Sequence, residues 1–155
     1  MPAVTDHPAL HECLWAGILC NDSAIIEKDG QRSIAGDPTE GALLVAAEKA
    51  GLRHGVIHTD TPRVDMIPFE SDYMYRATLH DHAKGRCIYK AGAFEQMLER
   101  CSHMLDKDGQ LIPIQAEPIR AMAQGLSSQG MRIIAFQGEM PAMWLLLNMN
   151  MCVMA

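Results

Sequence analysis

The sequence GDPTEGALLVAAEKAGL, residues 36–52, decides much of the fold because it carries signals for both ends of a helix. Asp37 can cap the helix, Pro38 suits its first position, and Gly51 suits the left-handed residue beyond its end. Glu40 follows the cap by three residues, which is the spacing of a capping box. We therefore predict a helix between these signals, in which Glu40 either only stabilises the first turn or also faces a ligand.

The composition is that of one globular domain. Of 155 residues, 48% are apolar and 21% are charged, and the formal net charge is −6. The apolar share allows a real core, and an acidic chain without a Lys/Arg cluster argues against nucleic acid or an anionic membrane as partner. Five cysteines without a CxxC spacing indicate reduced thiols. The longest apolar stretch, residues 143–155, is too short to span a bilayer.

Hairpin signals alternate with helix signals along the chain, which predicts an α+β fold with a largely antiparallel sheet flanked by helices. Besides the helix already described, helices are predicted at residues 5–22, with Asp6 as a possible cap, and at 94–105 and 116–130. Strands are predicted on both sides of the Asp29-Gly30 turn and at residues 64–71, 75–81, 85–92 and 131–139. We expect the helix of residues 36–52 to pack on the sheet through Leu43, Ala46 and Ala47.

Local sequence patterns give little catalytic signal. His80 and His82 alternate on a predicted strand and share a face, but a metal site there would need more ligands. A further hypothesis is an independent enzyme that uses Glu40 with one of these histidines, but no catalytic motif supports it. Phe69 follows a strand and a proline, and it either packs in the core or offers a flat surface for a flat ligand.

Five segments in order resemble the nucleotide-binding domain of P-type cation-transporting ATPases, most closely the calcium-pump-like branch. They are GILCND (17–22), GDPTEGALLVAAEKAG (36–51), IPFES (67–71), GAFEQMLERC (92–101) and GMRIIAF (130–136). The similarity runs from about Leu14 to Pro141. It implies a twisted, largely antiparallel sheet flanked by helices, inserted into a cytosolic phosphorylation domain, and therefore a cytoplasmic location.

The resemblance also implies a site for an adenine nucleotide, with Mg²⁺ carried by the nucleotide and not bound by this domain alone. By this resemblance, Glu40 approaches the adenine amino group, Phe69 stacks on the base, and Gly92 lets the backbone come close to it. Arg132 reaches the phosphates or the ribose, and Ile134 supplies an apolar wall. The implied residues are Glu40, Phe69, Ser71, Gly92, Arg132 and Ile134.

Two positions depart from the family pattern. Met74 and Ala91 stand where the family has lysines, and Lys90 is one place too early to face the same side of a strand. Whether Arg76 or Lys84 compensates is open. The two losses predict that ATP, ADP and AMP bind with similar, weak affinity, or that the chain is a divergent or engineered scaffold with a rebuilt pocket.

The whole chain, residues 1–155, is interpreted as one nucleotide-binding domain of a larger pump, with residues 142–155 as an atypical tail that substitutes for an edge strand. The family's DKTGT and TGE motifs are not in the sequence. We therefore predict no catalytic residue and no complete phosphoenzyme site here. The expected partners are an adenine nucleotide and the phosphorylation and actuator domains of the pump, without nucleic acid and without membrane contact by this chain.

Overall fold

The computed structural model describes residues 6–139 and 151–154, the last four by their backbone alone. The helices are α1 (Pro8–Leu19), α2 (Pro38–Lys49), α3 (His54–Asp60), α4 (Phe94–Arg100) and α5 (Ala116–Ser127). The strands are β1 (Ala24–Lys28), β2 (Gln31–Ala35), β3 (Arg63–Glu70), β4 (Tyr75–His82), β5 (Gly85–Ala93), β6 (His103–Leu105), β7 (Leu111–Pro113), β8 (Ile134–Glu139) and β9 (Met151–Met154).

The main sheet has the strand order β3-β4-β5-β8-β9-β6-β7, and β1 and β2 form a separate antiparallel hairpin. Every neighbouring pair in the main sheet is antiparallel except β6 and β9, which are parallel. Helices pack on this sheet, so the predicted α+β class with a largely antiparallel sheet is confirmed.

Two apolar clusters form the core, and successive residues of β8 belong to different ones. Phe136 lies with α1, α2 and the buried side chains of β5, whereas Ala135 lies with α4 and α5. Side chains alternate between the faces of a strand, so the clusters occupy opposite faces of the sheet. Helices α1–α3 thus cover one face, and α4 and α5 cover the other.

Helix α2 begins as its sequence predicts, but it packs elsewhere. The Asp37 carboxylate accepts hydrogen bonds from the backbone N–H groups of Thr39 (2.8 Å) and Glu40 (3.1 Å), and Gly51 has φ +89°. The helix packs chiefly on α1 and the β1–β2 hairpin, and Ala46 is exposed. The expected packing on the main sheet is thus not the chief contact of this helix, since α1 contacts β5 and β8 and α2 shares their core cluster mainly through α1.

Residue Leu44, not Leu43, supplies the buried leucine of α2, together with Ala47. The predicted contact face was therefore rotated by about one residue. Gly41 is also buried in this helix, and a Cβ there would lie 2.3 Å from the Ile34 side chain of the hairpin. The close helix–hairpin contact thus depends on a glycine.

Helix α1 is shorter than predicted and is capped differently. It begins at Pro8, with His7 at the N-cap position and no side-chain capping bond, so the predicted cap at Asp6 is wrong. Proline at the first position fixes the helical φ without needing its own N–H, so it marks this start without a side-chain cap.

The predicted helix of residues 94–105 ends at Arg100, and its last part is strand β6 instead. Cys101 has extended dihedral angles, and the next residues pair with β7 across a turn in which Asp106 accepts the N–H groups of Asp108 and Gln110. Pairing with β7 across a tight turn therefore makes residues 103–105 a strand, although their apolar spacing is that of a helix. Helix α3 was not predicted, because the sequence has no capping residue at its start. Arg53 stands at the N-cap position and makes no side-chain capping bond.

The predicted atypical tail, residues 142–155, lies outside the described residues except for β9. That strand lies between β8 and β6, so it is an inner strand of the sheet and not the substitute edge strand that the sequence suggested.

Candidate binding cleft

One cleft of about 510 Å³ gathers most of the predicted site residues. It lies between the start of α2, the end of β3, the strands β4 and β5, and the entry to β8. The predicted residues that line it are Glu40, Phe69, Gly92, Arg132 and Ile134, and both departures from the family pattern, Met74 and Ala91, also line it. Ser71 lies in the β3–β4 turn and is not among the lining residues.

Phe69 presents an aromatic surface to solvent at the cleft. Its side chain is 53% exposed at the end of β3, so it does not pack in the core. Ile134 and Leu43 add apolar wall around the same cleft. An exposed ring beside apolar walls suits a flat, partly apolar ligand group.

The carboxylate of Glu40 does not form the capping box that its spacing suggested. Its Oε2 accepts hydrogen bonds from the backbone N–H of Asp22 (3.0 Å) and from the Ser23 hydroxyl (3.3 Å). Its Oε1 lies 2.9 Å from Nη1 of Arg76. Asp37 therefore caps α2 without help from Glu40, whose side chain instead fixes the loop after α1 and faces a cation.

The sequence left open whether Arg76 compensates for the lysines expected at positions 74 and 91, and the structure places this residue in the cleft. It lies on β4 directly opposite Ala91 of β5, so both side chains occupy the same face of the sheet. Its Nη1 is 2.9 Å from oxygens of both Asp22 and Glu40. A guanidinium thus occupies the space beside the alanine.

The two lysines nearest in sequence, Lys84 and Lys90, do not line the cleft. Lys90 pairs with Glu139, with 3.0 Å between Nζ and Oε1, and neither residue lines the cleft. Lys84 lies in the β4–β5 turn and does not line it either. Only the register of β4 on β5 shows which side chain lies opposite position 91, and a single sequence does not give that register.

The charges behind Arg76 continue to the end of α1. Asp22 accepts a 2.6 Å hydrogen bond from Arg63, whose other Nη donates to the backbone oxygens of Leu19 (3.1 Å) and Asn21 (2.6 Å). Burial alone would raise the pKa of Asp22, but the hydrogen bonds and the charges of Arg63 and Arg76 outweigh it and lower that pKa. Asp22 is therefore ionised near neutral pH, and carboxylates alternate with guanidinium groups.

Arg132 lies on the rim of the cleft, two residues before β8 begins. Its Nη1 is 3.5 Å from the Thr39 hydroxyl in the first turn of α2. The N-cap Asp37 is close by: its hydrogen bond from the Glu40 N–H, with a smaller contribution from the charge of Arg132, lowers its pKa. A second cation is thus available at the mouth of the cleft.

Gly92 is needed by the sheet itself. A Cβ at this position would lie 2.4 Å from the carbonyl oxygen of Met74 and 2.6 Å from Cβ of Tyr75. The structure therefore gives a reason for this glycine that sequence reasoning did not, namely the close approach of β4 and β5.

His80 and His82 have separate surroundings. His80 is fully buried, with Nδ1 3.1 Å from the carbonyl oxygen of Thr61, and His82 accepts a hydrogen bond from the N–H of Lys84. Within residues 6–139, no group of three or more metal-ligating side chains is placed to hold an ion. The buried position of His80 gives no support to its use with Glu40 in catalysis.

Comparisons with known proteins identify the family. The sequence profile described as "P-type ATPase, cytoplasmic domain N" matches residues 9–139. The chain is 47% identical over 129 residues to the cation-transporting ATPase pma1 of Synechocystis sp., covering 83% of this chain and 14% of that protein. It is 40% identical over 133 residues to a probable cation-transporting ATPase F of Mycobacterium tuberculosis, covering 85% and 15%.

A third relative is the calcium-transporting ATPase of Bacillus subtilis, 32% identical over 151 residues, covering 91% of this chain and 17% of that protein. The chain therefore spans 14% to 17% of the length of these relatives. None of the helices described here is long and apolar enough to cross a membrane. The matches confirm the predicted family and its cytoplasmic location: this chain belongs to the P-type ATPase family, as its cytoplasmic domain N.

Proposed function

We propose that this domain binds an adenine nucleotide in the cleft and presents ATP to the phosphorylation domain of a cation pump. The observation that carries the proposal is the convergence of five predicted residues from separate elements on one cleft. These are Glu40, Phe69, Gly92, Arg132 and Ile134.

The chemistry of the cleft fits the two halves of a nucleotide. The base would stack on Phe69 against the wall at Ile134, with Glu40 as an acceptor for its amino group. Arg132 on the rim would face the ribose or the phosphates, because a guanidinium suits phosphate oxygens. Mg²⁺ would arrive with the nucleotide.

The pump context rests on the relatives. Their names describe cation- or calcium-transporting ATPases, and this chain corresponds to 14% to 17% of their length. Phosphorylation and actuator domains would therefore be its partners, and transport would belong to the whole pump. Identity of 47% to a pump protein does not favour the alternative of an engineered scaffold.

Phe69→Ala tests the proposal. Stacking of a base on an aromatic side chain contributes about 1–3 kcal/mol, so the variant should lose roughly five- to 150-fold in ATP affinity. Isothermal titration calorimetry measures this loss, and circular dichroism checks that the variant folds. Since Phe69 is exposed, its removal should leave the fold stable.

Tyr73→Ala is the matched control. Tyr73 is an aromatic of similar exposure, 48%, in the β3–β4 turn, but it does not line the cleft. Its variant should bind ATP like the unmodified protein. Equal losses in the two variants would refute stacking on Phe69, and a parent protein that binds no ATP would support the rebuilt-pocket alternative.

A further inference from the structure

We infer that Arg76 supplies, from strand β4, the phosphate-binding cation that positions 74 and 91 lack, and that ligand phosphates compete for it with the carboxylates of Glu40 and Asp22. The inference rests on the proposed nucleotide site and deepens it. It names a residue that sets how strongly the cleft prefers phosphorylated ligands.

The register of the sheet gives the first argument. Arg76 and Ala91 are direct cross-strand partners, and such pairs have Cβ atoms about 4.5–5.5 Å apart on one face. A long side chain at either position reaches the same volume above the sheet. Alanine at position 91 leaves that volume free, and both residues line the cleft.

The contacts of the guanidinium give the second argument. The Arg76 side chain is only 16% exposed, and its Nη1 lies 2.9 Å from carboxylate oxygens of both Asp22 and Glu40. A guanidinium has five N–H donors in a planar fork, and a phosphate accepts two of them side by side. A phosphate can therefore take two donors of Arg76 side by side, whereas Nη1 alone makes the 2.9 Å contacts with both carboxylates.

The carboxylates set a limit on this preference. Moving Arg76 toward a phosphate weakens its attraction to Glu40 and Asp22, so the gain is smaller than for an unpaired cation. Asp22 keeps its hydrogen bond from Arg63 in that case, so it is not left without a positive partner. Glu40 loses its ion pair with Arg76 but keeps its hydrogen bonds from the Asp22 N–H and the Ser23 hydroxyl.

This inference changes the expectation from sequence alone, which was that ATP, ADP and AMP bind alike. With Arg76 facing the cleft, affinity should rise with the number of ligand phosphates. The preference should shrink with added salt, because the contact is largely electrostatic.

The test compares adenosine, AMP and ATP by calorimetry on the parent, Arg76→Met, Ala91→Lys and the double variant R76M/A91K. Arg76→Met should lower ATP affinity about tenfold and leave adenosine nearly unchanged, since only a charge-assisted contact is lost. The double variant returns a cation to the same face from the neighbouring strand. It should restore most of the preference for ATP over AMP.

Ala91→Lys alone should gain much less than it does in the Arg76→Met background, because two like charges then face each other across the strands. Arg86→Met is the matched control: it removes the same charge from an exposed residue paired with Asp81, away from the cleft. Its ratio of ATP to AMP affinity should match the parent.

Asp22→Asn gives a second measurement that does not depend on the stability of Arg76→Met. Weakening one competing carboxylate should raise ATP affinity several-fold and leave adenosine affinity unchanged. The inference is overturned if Arg76→Met keeps the parent's ATP-to-AMP ratio, or if R76M/A91K does not restore it. A parent that binds adenosine, AMP and ATP equally refutes only this inference, whereas a parent that binds none refutes the proposed function as well.

Discussion

At the scale of single residues, the fold opposes protonation of the buried His80. It is 0% exposed, its Nδ1 contacts the carbonyl oxygen of Thr61, and its ring meets that of Tyr89 edge-on, with 6.2 Å between the ring centroids. Burial lowers the pKa of this imidazole because the charged form loses its water, and the Thr61 contact offsets this only in part.

The domain should therefore lose stability as the pH falls below about 6.5. In that range the unfolded chain binds a proton at His80 that the folded domain does not, so the free energy of unfolding decreases by up to about 1.4 kcal/mol per pH unit until the folded-state pKa is reached. Urea midpoints between pH 7.5 and 5 measure the slope. His58, whose pKa burial also lowers, adds to it in the same direction.

His80→Gln should reduce this slope to the part that His58 contributes. A parent protein whose stability is constant between pH 7 and 5.5 would contradict the assignment. So would a His80→Gln variant with the full slope.

At the scale of elements, the contact between β4 and β5 depends on the missing side chain of Gly92. Gly92→Ala should destabilise the domain by about 1–3 kcal/mol, since its Cβ meets backbone atoms that cannot turn away. Gly125→Ala in α5 is the control, because no atom lies within 4 Å of its added Cβ. It should be neutral or stabilise by up to about 1 kcal/mol. Equal urea midpoints for the two variants would show that the strands can separate.

Elements with local signals were predictable, and those that depend on partners were not. The caps of α2 at Asp37 and Gly51 lie within the helix's own sequence, so the sequence predicted both ends closely. Strand β6 looked helical because of its apolar spacing. Its pairing with β7 and β9 outweighs that spacing and makes it a strand. For the cleft, the segments were identified by resemblance, whereas the place of Arg76 opposite Ala91 depends on strand register.

At the scale of the whole molecule, residues associated with both core clusters line the cleft. Leu43 and Ile134 pack against the cluster around α1, and Phe94 and Ile133 belong to or pack against the cluster around α4 and α5. Walls from both sides of the sheet thus enclose one site. Its shape therefore depends on the assembled domain and not on any single hairpin.

The two edges of the main sheet share one property, which bears on how copies of this domain behave when concentrated. Among the described residues the edge strands are β3 and β7, and each contains a proline, Pro68 and Pro113. The ladder of β3 also shifts register twice, while Val64 and Ile67 are about half exposed. Proline offers no N–H to an incoming strand, and irregular edges resist pairing.

Colloidal stability should therefore be a property of these edges. Pro68→Thr should speed the growth of light scattering at high concentration, because it restores a donor on a strand with exposed apolar side chains. Pro38→Thr, at the start of α2, is the matched control and should scatter like the parent. A Pro68→Thr protein that remains monomeric would assign the protection to the register shifts alone. The prolines would then serve the shape of the strands and not the solubility of the domain.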